Sequence, residues 1–391
     1  MNPISRKNSV LVIALVMIAG IIGYVEIQKA KAPERGAILA TETTSTLQAA
    51  SSQAVSAPQI QSAEERKKDK AKKYLPAREI TPGGGFFNSP PFQLKDFIGK
   101  KVILVDFWTY TCINCRRTTP YLNAWYQKYK DLGFVIVGVH TPEFEFEKVY
   151  TNVAKDIAEE GIQYPNLQDN DRATWDTYQN QYWPHEYLID IDGYIIHDKI
   201  GEGGYDESER AIQAALKERA QALDTSDVIP TSIVSPQDIA SVDTSRPISP
   251  ETYFGAARNQ YLGNGAKGVL GPQMLSIPAS LQSNTLYLGG GWNFQNEYAE
   301  NMTPGARIQF KYNAKNVYLV ATADTPVTIT LKRDGHMVSS ERGKAVAKDG
   351  TIVIQTNRLY HLIQEAGYQG EHTLEIDIQG QGIKAFAFTF G

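Results

Sequence analysis

The sequence predicts an α/β domain on a mixed sheet, then an all-β sandwich, both behind an N-terminal membrane-anchor helix. Three observations lead there. Val102–Trp108 (VILVDFW) and Phe134–Val139 (FVIVGV) are short, β-branched and almost wholly apolar, and each precedes a helical pattern; buried parallel strands have this texture. Beyond residue 250 the chain changes to short strands separated by Gly, Asn and Asp turns, the pattern of a sandwich. At the start, Arg6 and Lys7 precede an apolar run from Val10 to Val25.

That run lies between a signal-peptide core and the roughly 20 residues of a spanning helix. Ala30-Lys31-Ala32 is the nearest small-x-small cleavage site and it is distant, so residues 1–26 are expected to be an uncleaved signal anchor. A short basic N-terminus before a long polar region exports that region. Residues 27–75 are expected to be a flexible linker, rich in Ala, Ser, Thr and Gln and too poor in apolar surface to offset chain entropy. The charged run Glu64–Lys73 (EERKKDKAKK) reads as a solvated helix or linker end, with order beginning near Leu75.

The first domain is expected over 76–223. After the Val102–Trp108 strand comes a helix over Ile113–Asp131, the strand Phe134–Val139, and a helix over Phe144–Glu160 ended by Gly161. A further helix is expected over Asp169–Gln179. Tyr187–Ile191 and Tyr194–Lys199 flank Asp192-Gly193 as a hairpin, and Glu207–Leu223 closes the domain as an amphipathic helix. Residues 224–248, rich in Ser, Thr, Pro and Asp, read as a linker. Over 249–391 about seven strands are expected: Thr285–Leu288, Arg307–Tyr312, Val317–Ala321, Val327–Arg333, Thr351–Thr356, His372–Ile378 and Ile383–Phe390.

Composition bounds the function. With 391 residues the chain is too long for one ordinary core. A net charge of −4 gives no reason to expect nucleic acid as a partner. The chain has 2 cysteines, which excludes a disulfide-stapled scaffold and a four-cysteine zinc site.

Those two form Cys112-Ile113-Asn114-Cys115, after a buried strand and at the opening of a helix. Cys112 then lies at a helix N-terminus, where free N–H groups and the positive end of the dipole favour thiolate, the species that attacks disulfides. Cys115, one turn further in, is placed to resolve the mixed disulfide. A metal site would need two further ligands, and none of the 6 histidines is near in sequence. A structural disulfide across so short a loop would constrain little of the unfolded chain. Redox work is the expectation.

Leu104-Val105-Asp106-Phe107-Trp108, the Cys112/Cys115 pair and Pro120 together resemble the thioredoxin pattern. WTYTCINCRRTTPYLNAWYQKY, with GVHTPEFEFEK after the next strand, most resembles the thioredoxin-like region of DipZ-type extracytoplasmic proteins, within the wider redoxin and TlpA-like group. The resemblance implies that Cys112 is the nucleophile, Cys115 the resolving thiol and Asp106 a buried acid beneath them. Trp183-Pro184 is similar to the family's cis-proline, which makes Pro184 part of the substrate groove. Ile113-Asn114 and Thr111 depart from thioredoxin itself, so no redox potential carries over. His140 and Glu143, near the same edge, read equally well as a loop histidine and a helix-start acid.

The second domain, from SPETYFG (249–255) through GGGWNFQNEYAE (289–300), resembles the β-rich, jelly-roll or carbohydrate-binding-module-like domain that follows in DipZ-type proteins. Trp292, Tyr298 or Tyr318 could then stack on an envelope glycan, or fill the sandwich core. Relatives of this type often carry a multi-span membrane module, while one apolar run is present here, so a separate CcdA/DsbD-like membrane electron donor is the expected partner. The expected function is an extracytoplasmic thiol–disulfide oxidoreductase acting on protein thiols and disulfides, with no cofactor, tethered to the inner membrane from its periplasmic side. The alternatives are a redoxin-type thiol peroxidase, or an envelope glycan-binding protein with an accessory redox domain.

Overall fold

The computed structural model describes residues 62–237, 248–367 and 370–391, which belong to one compact unit. The expected anchor (1–26) and most of the expected linker lie outside the described residues. No helix among the described residues is long and apolar enough to cross a membrane.

Order begins earlier than Leu75. Helix α1 (Ala63–Lys70) opens on a capping box in which Ser62 and Glu65 exchange side-chain-to-backbone bonds. Its side chains are solvated as expected, but two of them grip the fold. Arg66 donates twice to Asp192 at 3.0 Å, and the Lys70 ammonium lies 2.6 Å from Asp190, 2.9 Å from Asp192 and 2.5 Å from Glu218. Residues 62–75 are therefore held rather than flexible, a correction to the linker expected over 27–75.

The first sheet has six strands: β1 (Phe86–Phe87), β2 (Val102–Trp108), β3 (Phe134–His140), β4 (Asn166–Gln168), β5 (His185–Ile189) and β6 (Ile195–Ile200), in the order β1-β4-β3-β2-β5-β6. β2, β3 and β4 run parallel, β5 pairs antiparallel with β2, and β6 pairs antiparallel with β5. Every residue of β2 and β3 is buried, because each face of the sheet carries its own core. Val102, Leu104 and Trp108 pack with Trp125 of helix α2 (Ile113–Tyr129), while Ile103, Val105 and Phe107 pack with Trp175 and Tyr178 on the other side. The helix Tyr205–Ala222 lies on the α2 face.

The helix expected over 144–160 is broken. Glu145–Lys148 is a 3₁₀ turn, and α3 spans only Tyr150–Glu159, because Val149 between them is extended. Helix α4 (Ala173–Thr177) is short, and α5 (Tyr205–Ala222) closes the domain with Ile212 and Leu216 in the core. This is the thioredoxin-like arrangement.

The second half holds β7 (Thr252–Tyr253), β8 (Gly271–Leu275), β9 (Leu286–Phe294), β10 (Ala299–Asn301), β11 (Arg307–Tyr312), β12 (Asn316–Ala323), β13 (Val327–Arg333), β14 (His336–Met337), β15 (Thr351–Ile354), β16 (Arg358–Gln364), β17 (His372–Ile378) and β18 (Ile383–Phe390). All pairings are antiparallel. The expected sandwich is a single curled sheet of 12 strands. β9 makes the corner: its first residues pair with β11, and its last with β8 and β10. The bend falls at Gly289-Gly290-Gly291, where Gly290 has φ of 91°, a conformation open to glycine. The two flanks face one another across one core, with Ile308, Ile329 and Ile376 opposite Leu319, Ala321 and Phe388.

The halves meet through Phe144 and Phe146, which pack on Phe386, Val320 and Ala387 from β18 and β12.

Candidate active site

β2 ends at Trp108, and four residues later Cys112 caps α2 with extended backbone (φ −76°, ψ 115°). The cap forms because a helix start leaves N–H groups without partners. The Cys115 N–H donates to Cys112 Sγ at 3.3 Å. Cys112 is half-buried and Cys115 buried, both as free thiols. The Trp183–Pro184 peptide is cis, and the Cys112 thiol lies 3.8 Å from the Trp183 carbonyl oxygen. Cys112, Cys115 and Pro184 thus converge from α2 and from the start of β5.

Asp106 is buried, and its Oδ1 meets no donor. Burial, reinforced by Glu186, holds its carboxyl well above the usual range. Burial also raises the Cys115 thiol, with Cys112 and Asp106 adding to the effect. The Cys115 thiol and the Asp106 carboxyl are thus both pushed toward their protonated forms.

Sequence reasoning missed the acid that holds the motif's leading edge. Glu147 is fully buried, accepts the Thr111 hydroxyl at 2.6 Å, and accepts the Glu143 and Phe144 N–H groups at 2.6 and 3.0 Å. Burial pushes it up to about 7. The signal was the alternation of aromatic and acidic residues in Phe144-Glu145-Phe146-Glu147, concealed because the segment read as one helix. Glu186 was missed because the hairpin strand was started at Tyr187.

His140 is fully buried beside Trp108 and Tyr110, and burial lowers it to about 3, so it stays neutral. Glu143 bridges to the β-rich half, accepting from Arg258 at 2.7 Å and from the Tyr253 hydroxyl at 2.9 Å. Neither touches the thiols among the contacts formed.

Of the aromatic residues considered for a glycan, the structure buries Trp292 and Tyr318 and leaves Tyr298 half-buried. Trp292 is fully buried in the sheet core and donates to the Gly289 carbonyl at 3.0 Å, so its face is not available to a sugar. Tyr318 is buried, stacked on His361 and beside Arg117. Tyr298, half-buried, packs on Phe386 beside the contact between the halves. A groove of about 730 Å³ lies between Ile113, Arg117 and Pro120 of α2 and Tyr318, Leu359 and His361 of the β-rich half.

Residues 87–198 match the AhpC/TSA family, and residues 249–391 match a family described as thioredoxin like C-terminal domain. Protein DipZ of Mycobacterium bovis is 37% identical over 310 residues, covering 78% of this chain and 41% of its own length. Protein DipZ of Mycobacterium tuberculosis matches to the same extent. Thiol-disulfide oxidoreductase YkuV of Bacillus subtilis is 29% identical over 143 residues, covering 37% of this chain and 95% of its own. The chain therefore spans about two fifths of the length of the DipZ relatives. Across those residues it is similar to DipZ, with a region matching the AhpC/TSA family followed by one matching the thioredoxin like C-terminal domain.

Proposed function

We propose that the chain is an extracytoplasmic thiol–disulfide oxidoreductase that exchanges two electrons with protein disulfides through Cys112 and Cys115. The observation that carries this reading is the half-exposed Cys112 sulfur, capped by the Cys115 N–H and facing the carbonyl before the cis-proline. The likeness to YkuV, a thiol-disulfide oxidoreductase, supports it.

In the reducing direction, Cys112 thiolate attacks one sulfur of the substrate disulfide. The substrate's S–S bond breaks, and one substrate thiolate leaves and takes up a proton. The mixed disulfide lies against Trp183-Pro184, where a free backbone carbonyl suits an extended chain. Cys115 passes its proton to Asp106 and attacks Cys112 Sγ, releasing the second substrate thiolate. Enzyme dithiol and substrate disulfide become enzyme disulfide and two thiols. A separate membrane protein would return the two electrons, and a tether over residues 1–26 would keep the site at the outer face of the inner membrane.

Insulin reduction by the full chain with dithiothreitol tests the activity. Turnover that disappears in Cys112→Ser supports it, and equal turnover in that variant overturns it. The AhpC/TSA match favours a second reading, thiol peroxidase. Rapid peroxide consumption requiring Cys112, without insulin reduction, would establish that instead. The reduction potential of the Cys112–Cys115 pair then decides reductant against oxidant.

A further inference from the structure

Asp106 lies directly opposite Glu186 in the β2–β5 register. Side chains at paired positions project from the same face, with Cβ atoms about 5 Å apart. Here that face is the one covered by α2 and α5, since Leu104 and Leu188, two residues from each acid, both lie in the core against those helices. Both carboxyls are 2% exposed, and each keeps one oxygen, Asp106 Oδ1 and Glu186 Oε2, with no donor. Two acceptors in a dry site pair only through a proton held between them.

We propose that Glu186 shares one proton with Asp106 and passes the proton released by Cys115 outward through Ser208 and His197. The inference rests on the oxidoreductase reading above.

The route follows from the neighbours. The Ser208 side chain, at the start of α5, is close enough to Glu186 to favour its charged form, and its hydroxyl is 3.3 Å from His197 Nε2. Ser208 is buried and His197 on β6 is half-buried, so the chain of groups runs from the sealed thiol toward the surface. The ionisable groups facing Glu186 are Asp106 on β2, Lys199 opposite it on β6, and the phenols of Tyr164 and Tyr205. Lys199 favours the charged form of Glu186 and burial opposes it, leaving the carboxyl at about 7. That value lets it take up and release a proton near neutral pH.

In the resolving step the Cys115 S–H bond breaks and its proton goes to Asp106. The thiolate's electron pair forms the Cys112–Cys115 bond as the bond from Cys112 to the leaving thiolate breaks. Asp106 returns to its resting state by giving that proton to Glu186, and Ser208 and His197 carry it to water. Glu186 touches neither sulfur nor substrate, so it is a positioning residue.

The test uses the reduced full chain and dithionitrobenzoate. Cys112 releases the first thionitrobenzoate and Cys115 attack releases the second, so the rate of the second phase across pH reads resolution alone. Glu186→Gln removes the like charge beside Asp106, and the midpoint of that profile is expected to move down by about one pH unit. Ser208→Ala is expected to slow the second phase severalfold at an unchanged midpoint and an unchanged first phase. A variant that merely loosened packing would lower the unfolding midpoint without moving the profile. A Glu186→Gln profile superimposed on an active wild type overturns the relay and leaves the oxidoreductase standing. A wild type with no second phase overturns both.

Discussion

Glu147→Gln offers a measurement of how strongly the fold holds a proton next to the redox motif. Glu147 is fully buried and takes its bonds from the Thr111 hydroxyl and from two backbone N–H groups, with burial as the main cause of its rise from 4.5 to about 7. A raised carboxyl means the native state keeps a proton that the unfolded chain gives up. The stabilisation is therefore complete below the unfolded value of 4.5 and is lost as pH rises through about 7. At about 1.4 kcal/mol per pH unit, the swing is about 3 kcal/mol. Glutamine preserves the shape, can donate to Thr111 Oγ1 and accept the two N–H groups, and does not titrate. Urea unfolding of wild type and variant, followed by tryptophan fluorescence from pH 4.5 to 8, reads the difference. The other buried acids are common to both proteins and cancel. Wild type should lose about 3 kcal/mol relative to the variant across that interval. A difference that stays constant within about 0.5 kcal/mol would refute the buried-proton argument.

Other substitutions test separate parts of the molecule. Cys115→Ser should trap the mixed disulfide on Cys112, seen as a stable mass adduct after one equivalent of a disulfide substrate; prompt release of the adduct would deny Cys115 its resolving role. Trp292→Ala should cost about 3–5 kcal/mol in urea unfolding, whereas a change under 1 kcal/mol would return that ring to the surface. Lys70→Met leaves the buried Asp190 and Asp192 carboxylates short of a cation, and is expected to cost about 2–3 kcal/mol and to speed proteolysis near residues 62–75. Phe386→Ala removes the ring that Phe144 and Phe146 meet at 5.1 and 4.8 Å. It should split one unfolding transition into two, and a single unshifted transition would count against that contact.

The redox half was readable where one residue pattern served one structural demand. Val102–Trp108 reads as a buried central strand because both its faces are covered, so no polar alternation interrupts it. Cys112 could be placed at a helix start because the strand ended four residues before it. The pattern failed where a polar residue took an apolar position. Glu186 occupies an inward slot of β5, and an acid there looks like the loop before a strand. Glu147 is buried in a 3₁₀ turn, and the helix that periodicity would continue breaks at the extended Val149. In the β-rich half, the strand expected to end at Leu288 runs on through Gly289-Gly290-Gly291 to Phe294 as β9. Arg358–Gln364 was missed as β16 because Arg358, His361 and Gln364, spaced by three, break the alternation of its apolar Leu359, Tyr360, Leu362 and Ile363. Trp292 and Tyr318 looked alike from composition, and only packing separates the core ring from the one beside α2.

The glycine bend of β9 also governs how the β-rich half comes apart. One strand's amide groups are committed to β11 at one end and to β8 and β10 at the other, so neither flank can peel away while that backbone remains zipped. Amide protons deep in β17 and in β12, on opposite flanks, should therefore exchange with solvent deuterium only through a common opening and at the same free energy.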